Sequence, residues 1–114
     1  MPDPAVLSLR QLQSILVRCL GHLYTYADRQ GYELTLADGL RSDRKGHMTN
    51  SLHYIALAQD VNLFIRGEWI KDGGDPVWTE LGTYWERLHP LCRWGGRFPS
   101  VDSNHFSVTY DGRA

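Results

Sequence analysis

A surplus of basic charge is missing from this sequence. Twelve Lys and Arg against thirteen Asp and Glu leave a formal net charge of -1, which offers no footprint for nucleic acid or for an anionic membrane surface. Long apolar runs are missing too. None approaches the ~20 residues of a membrane span, and no charged-then-apolar leader opens the chain. Cysteine is scarce: Cys19 and Cys92 are the whole supply and make no disulfide framework. Each falls on an apolar stripe of helical spacing, so buried thiols are expected there instead of ligands. Repeats, linkers and low-complexity segments are absent. At 114 residues the economical reading is one domain over 1–114, large enough to bury a core without staples.

What is present reads as helices and short strands. Asp3-Pro4 and Ser8-Leu9-Arg10-Gln11 both look like helix starts, the second with Ser as cap and Gln three residues on. Leu9, Leu12, Ile15, Leu16, Cys19, Leu20, Leu23 and Ala27 then recur at helical spacing up to Gly31, which predicts a core-facing amphipathic helix. Tyr32 to Ala37 alternates as a strand does, and a polar loop from Asp38 runs to Asn50. Ala56 to Ile65 predicts the next strand, with Gly67 turning the chain into Glu68-Trp69-Ile70 as hairpin partner. Asp75-Pro76 opens a second helix as cap and first residue, and Trp78, Leu81, Trp85, Leu88 and Cys92 form its core stripe. Phe106 to Tyr110 alternates again and predicts a strand of the central sheet. Paired glycines in Trp94-Gly95-Gly96 permit backbone conformations closed to other residues and allow close approach to a site.

Chemistry concentrates in two places, Ser51-Leu52-His53 with Asp60, and Asp102 with His105. Two histidines and a carboxylate are a ligand set that zinc accepts in catalytic sites, where the fourth position is left for water. Asp102 is then left over as a proton-transfer group. On a helix, His53 and Asp60 would lie about 10 Å apart along the axis at ~1.5 Å per residue, too far for a shared metal. On one uninterrupted strand the odd step between them would send them to opposite faces. His53 therefore belongs in a loop entering a strand, with Asp60 inside it. The same parity makes Val101 to Asn104 a turn folding back onto a strand that begins near His105. The His-Glu-x-x-His helix of thermolysin-like proteases is absent.

These residues resemble the zinc peptidases of the D-alanyl-D-alanine carboxypeptidase family, whose phage branch includes L-alanyl-D-glutamate endopeptidases that act as endolysins. The resemblance rests on Ser51-Leu52-His53, then Asp60, Asp102, His105 and Phe106, with Trp94-Gly95-Gly96 ahead of the second half, and covers roughly Gly31 to Tyr110. Three positions depart from the family pattern: Ala56 stands where Gly is usual, Arg97 where an acid often follows Trp-Gly-Gly, and Asn104 where Pro or Trp is common. The resemblance implies a Hedgehog-like α+β fold, a small and mainly antiparallel sheet with two main helices and zinc at its open edge. It implies His53, Asp60 and His105 as metal ligands, Asp102 as base, and Arg41 directed into the cleft to hold a substrate carboxylate or polarise the scissile carbonyl. Ser42, Ser51 and Trp94 are further candidate substrate contacts; Trp94 has a second reading as a lid over the core.

The implied activity is zinc-dependent hydrolysis of the L-alanyl-D-glutamate bond of the bacterial peptidoglycan stem. The alternatives are a D-alanyl-D-alanine carboxypeptidase and a non-catalytic zinc-binding module of Hedgehog type. A monomer is expected, partnered by peptidoglycan and not by nucleic acid or membrane. A phage-encoded enzyme without a signal peptide would wait in the host cytoplasm for release to the wall, or travel in the virion.

Overall fold

The structure, a computed structural model, describes residues 7–37 and 55–114. The helix start expected at Asp3-Pro4 lies outside them, as do the expected site residues Arg41, Ser42, Ser51 and His53.

Helix α1 spans Leu9–Arg29. Ser8 caps it through a complete capping box: the Ser8 Oγ accepts from the Gln11 N–H at 3.1 Å, and the Ser8 N–H donates to Gln11 Oε1 at 2.8 Å. Two orphan donors of the first turn are thereby satisfied, a device worth about 1 kcal/mol. The helix stops at Gly31, whose φ of 83° suits a residue without Cβ. Leu12, Leu16, Cys19, Leu23 and Ala27 are its buried stripe, stepping by three and four.

Strand β1 (Tyr32–Ala37) pairs antiparallel with β2 (Ala58–Ile65), and β2 turns into the short β3 (Glu68–Trp69). Arg66 and Gly67 both have positive φ, the signature of a type I′ hairpin whose twist matches that of the strands. Helix α2 (Pro76–Leu88) starts as expected, with Asp75 Oδ1 accepting from the Val77 N–H at 3.0 Å and proline in the first turn. Strand β4 (Cys92–Trp94), a 3₁₀ turn over Gly95–Arg97 and strand β5 (His105–Val108) complete the sheet. Its order is β1-β2-β5-β4, with β3 also on β2, and every pairing is antiparallel. This is the α+β architecture that the sequence predicts, two helices and a small antiparallel sheet. No helix of the described residues is long and apolar enough to cross a membrane.

One face of the sheet carries the core. Val61, Leu63, Phe106, Val108, Cys92 and Trp94 meet the stripes of α1 and α2 there. The Trp85 ring stands edge-on to Phe106 at 5.6 Å, and its N–H donates to the Arg93 carbonyl at 3.0 Å and to Ser107 at 3.2 Å, so a large apolar body is buried without stranding its polar atom. Cys19 and Cys92 are free, buried and hydrogen-bonded to each other. That bond, ahead of burial, raises the Cys92 thiol well above the ordinary range and lowers Cys19. Both are core groups, as expected of buried thiols; Cys19 lies on the α1 stripe, but Cys92 lies in the strand Cys92–Trp94, beyond the end of α2 at Leu88, and not on that helix's stripe. Glu80 of α2 is a second tie between elements: its two oxygens accept from Tyr26 of α1 at 2.5 Å and from Tyr32 of β1 at 2.6 Å.

Candidate active site

Parity along the strands places the chemistry. Val61 and Phe106 point to the helices, so their neighbours Asp60 and His105 point to the other face. The two are register partners across β2 and β5, which puts their side chains directly opposite each other. His105 Nδ1 lies 3.3 Å from Asp60 Oδ1. Asp102, in the turn before β5, brings Oδ2 to 3.9 Å from the same nitrogen. One ligand atom from each of Asp60, Asp102 and His105 falls within 4.8 Å of the other two.

The pair suits a small, tightly coordinated ion. Two ligand atoms held about 2.0–2.1 Å from zinc in a tetrahedron lie about 3.3–3.4 Å apart, which is the Asp60–His105 spacing. Asp102 stands beyond that edge. Its exposure differs as well: the Asp102 side chain is 51% accessible, against 13% for Asp60 and 8% for His105. A carboxylate open to solvent beside two enclosed donors is placed to exchange protons with water.

The turn that carries Asp102 is held by backbone bonds. The Asp102 N–H donates to the Gly95 carbonyl at 2.9 Å, the His105 N–H to Asp102 at 3.1 Å, and the Val61 N–H to Asn104 at 3.0 Å. Gly95 has no room for a side chain, since a Cβ there would lie 2.2 Å from the Asp102 carbonyl oxygen and 2.8 Å from the His105 Cβ. Gly95 is thus what lets the turn before the site press against it, while Gly96 leaves room for the Trp94 ring. Ser103 adds a further bolt through its Oγ, which donates to the Gly73 carbonyl at 2.7 Å.

Trp94 corrects one expectation. It is only 4% exposed, its ring lies against Gly82 and Gly96, and its N–H donates to the Ser103 carbonyl at 2.7 Å. A ring so enclosed does not line a cleft. Of its two readings the lid over the core is the observed one, and its bearing on the site is to brace the Ser103 turn from beneath. Arg97, which departs from the family pattern, turns back to α2: its Nε donates to Glu86 at 2.5 Å, a terminal nitrogen to Thr83 at 3.1 Å, and its guanidinium sits 5.2 Å from the Trp94 ring. Asn104 contributes a backbone carbonyl to Val61, a role that does not depend on its side chain.

Gly95, Ser103 and Trp94 therefore position the site without supplying its chemistry. The Trp-Gly-Gly run was a visible signal for the first and third; nothing in the sequence marked Ser103. Phe98, whose ring lies 5.4 Å from the His105 imidazole, was likewise unmarked.

Comparison with known proteins fits this geometry. A model of the D-alanyl-D-alanine carboxypeptidase family matches residues 45–108, which span the Ser-x-His segment, Asp60, Asp102 and His105. A sequence comparison with curated proteins gave no match. Among solved structures, the chain is similar to the crystal structure of the Serratia marcescens L-Ala D-Glu endopeptidase ChiX, with a TM-score of 0.67 and 21% identity over 89% of this chain and 83% of that one. At that identity the likeness is one of fold.

Proposed function

Because this chain belongs to the D-alanyl-D-alanine carboxypeptidase family of peptidases, we propose that it is a zinc-dependent peptidoglycan peptidase of the phage endolysin type that cuts the L-alanyl-D-glutamate bond of the stem peptide. The observation that carries the zinc reading is the 3.3 Å Asp60–His105 pair with the Asp102 carboxylate just beyond it. His53, Asp60 and His105 would hold the ion, since two imidazoles and one carboxylate leave a fourth position open. When bound, zinc supplies Lewis acidity, which makes water a nucleophile near neutral pH.

The remaining work belongs to the chain. Asp102 takes the proton of the attacking water on its exposed carboxylate and returns it to the leaving amine. Its backbone is fixed by Gly95 and His105, so the carboxylate meets the reacting water without first searching for a position. Arg41 is assigned to the charge that develops on the carbonyl oxygen or to a substrate carboxylate, for which its planar donor fork is suited. Ser42 and Ser51 are assigned to the substrate. The likeness to an L-Ala D-Glu endopeptidase favours that bond over terminal D-alanine. As an endolysin the protein would act as a monomer and reach the wall from the host cytoplasm through a phage lesion, or from the virion.

Digestion of purified peptidoglycan with the zinc-loaded protein, followed by mass spectrometry of the soluble products, tests the reading. Freed peptides that begin with D-glutamate are expected. Release of D-alanine alone would move the assignment to the carboxypeptidase activity, and no release from a zinc-loaded protein would leave a non-catalytic zinc module.

A further inference from the structure

The edge of β2 beside the candidate site is met by two different neighbours. β5 pairs with Ala58 to Asp60 and β3 with Phe64 and Ile65. Between them the Val61 N–H donates to the Asn104 carbonyl at 3.0 Å and the Leu63 carbonyl accepts from the Ile70 N–H at 2.8 Å, with Asn62 at the junction. A cavity of about 300 Å³ opens there. Its lining includes Val61, Asn62, Trp69, Lys71, Trp78 and Asp102. The volume is at the small end for ligand sites and suits a short peptide segment.

Two observations point to a ligand with an anionic and an accepting group. Lys71 holds its ammonium 4.6 Å from the centroid of the Trp69 ring, and among the described residues it has no carboxylate partner. The cation is oriented by an aromatic face yet is not neutralised. Trp78 is 3% exposed, and its buried indole N–H has no acceptor among the described residues. Leaving such a donor unpaired costs about 1–3 kcal/mol, and native structures rarely do so without a ligand or water to relieve it. The half-exposed Trp69 ring adds an apolar wall for a methyl or methylene group.

We propose that this cavity is the subsite for the peptide segment on one side of the cut bond, with Lys71 pairing with a free carboxylate of that segment and Trp78 donating to one of its carbonyl oxygens. The proposal rests on the peptidase reading for its substrate, because a peptidoglycan stem carries free carboxylates beside its amides. Asp102 lines the same cavity, so a segment seated there has its scissile amide next to the proposed base. Lys71 then acts as a specificity-determining residue that favours stems with a carboxylate over stems whose carboxylate is amidated.

Calorimetry on the full chain carrying Asp102→Asn, which keeps the peptide uncut, is the test. The probes are a synthetic stem tetrapeptide and the same peptide with its free carboxylates beyond the L-alanyl-D-glutamate bond converted to amides. About 10-fold tighter binding of the carboxylate form is expected, equivalent to ~1.4 kcal/mol. Adding Lys71→Met should abolish the preference and Lys71→Arg should retain it. An unchanged preference in Lys71→Met, or no binding of either peptide, overturns the subsite. Hydrolysis by the native chain is scored separately. Lys71-dependent binding without hydrolysis removes the peptidase reading and keeps the subsite; hydrolysis with Lys71-independent binding does the reverse.

Discussion

Ala56 holds a φ of 56° at the entrance to β2. Only glycine reaches that region without steric cost, and for an L residue the left-handed conformation costs roughly 1–2 kcal/mol. The preceding residue is tied down, since the Gln13 amide of α1 donates to the Ile55 carbonyl at 2.8 Å. The family's usual glycine at this position thus has a physical reason, and this chain tolerates alanine at the expense of strain. Ala56→Gly should raise stability by up to about 1 kcal/mol, the relief of strain outweighing the roughly 0.4–1 kcal/mol by which glycine stabilises the unfolded chain. Urea denaturation of both proteins measures it, and a lower midpoint in the glycine variant would contradict it. The sequence alone marked Ala56 as a departure but not its backbone angle. Arg97 shows the same limit: a departure in sequence, it is explained only once Glu86 and Thr83 of α2 are seen beside it.

At the level of elements, local signals were legible because each is written in consecutive residues. The Ser8 capping box, the Asp75-Pro76 helix start and the alternation of β1 needed no tertiary information. Parity was enough to put Asp60 inside a strand and to make a turn of the residues before His105. Ties between distant elements were not legible. Nothing in the order of residues shows Tyr26 and Tyr32 converging on Glu80, since that depends on how α1, β1 and α2 pack. The convergence has a consequence for pH. The hydrogen bond to Glu80 first, then burial, raises Tyr32 to about 12 and also raises Tyr26, while burial alone raises Tyr24 to about 12. A phenol whose folded pKa is raised contributes stability that is complete below its unfolded value of ~10 and is lost as pH climbs through the folded value. Stability should therefore hold to pH 10 and fall between pH 10 and 12, with a shallower fall in Tyr32→Phe. Denaturant midpoints across that range check it; a flat profile in the parent protein, or an equal fall in both proteins, would contradict it.

For the whole molecule, the fold serves to bring a strand residue and a turn residue from distant stretches to one nitrogen. Helices load one face of the sheet, and strand periodicity then obliges Asp60 and His105 to share the other. The Trp94 brace and the Gly95 contact hold the Asp102 turn against them. The proposed division of labour between the two carboxylates, with Asp60 as a ligand and Asp102 as the base, is the central claim. Zinc content after dialysis, measured on Asp60→Asn and Asp102→Asn beside the parent chain, tests it most directly. Asp102→Asn is predicted to keep about one zinc per chain while losing turnover by ~10²–10⁴-fold, and Asp60→Asn to lose the metal. Loss of zinc from Asp102→Asn with retention in Asp60→Asn would contradict the account.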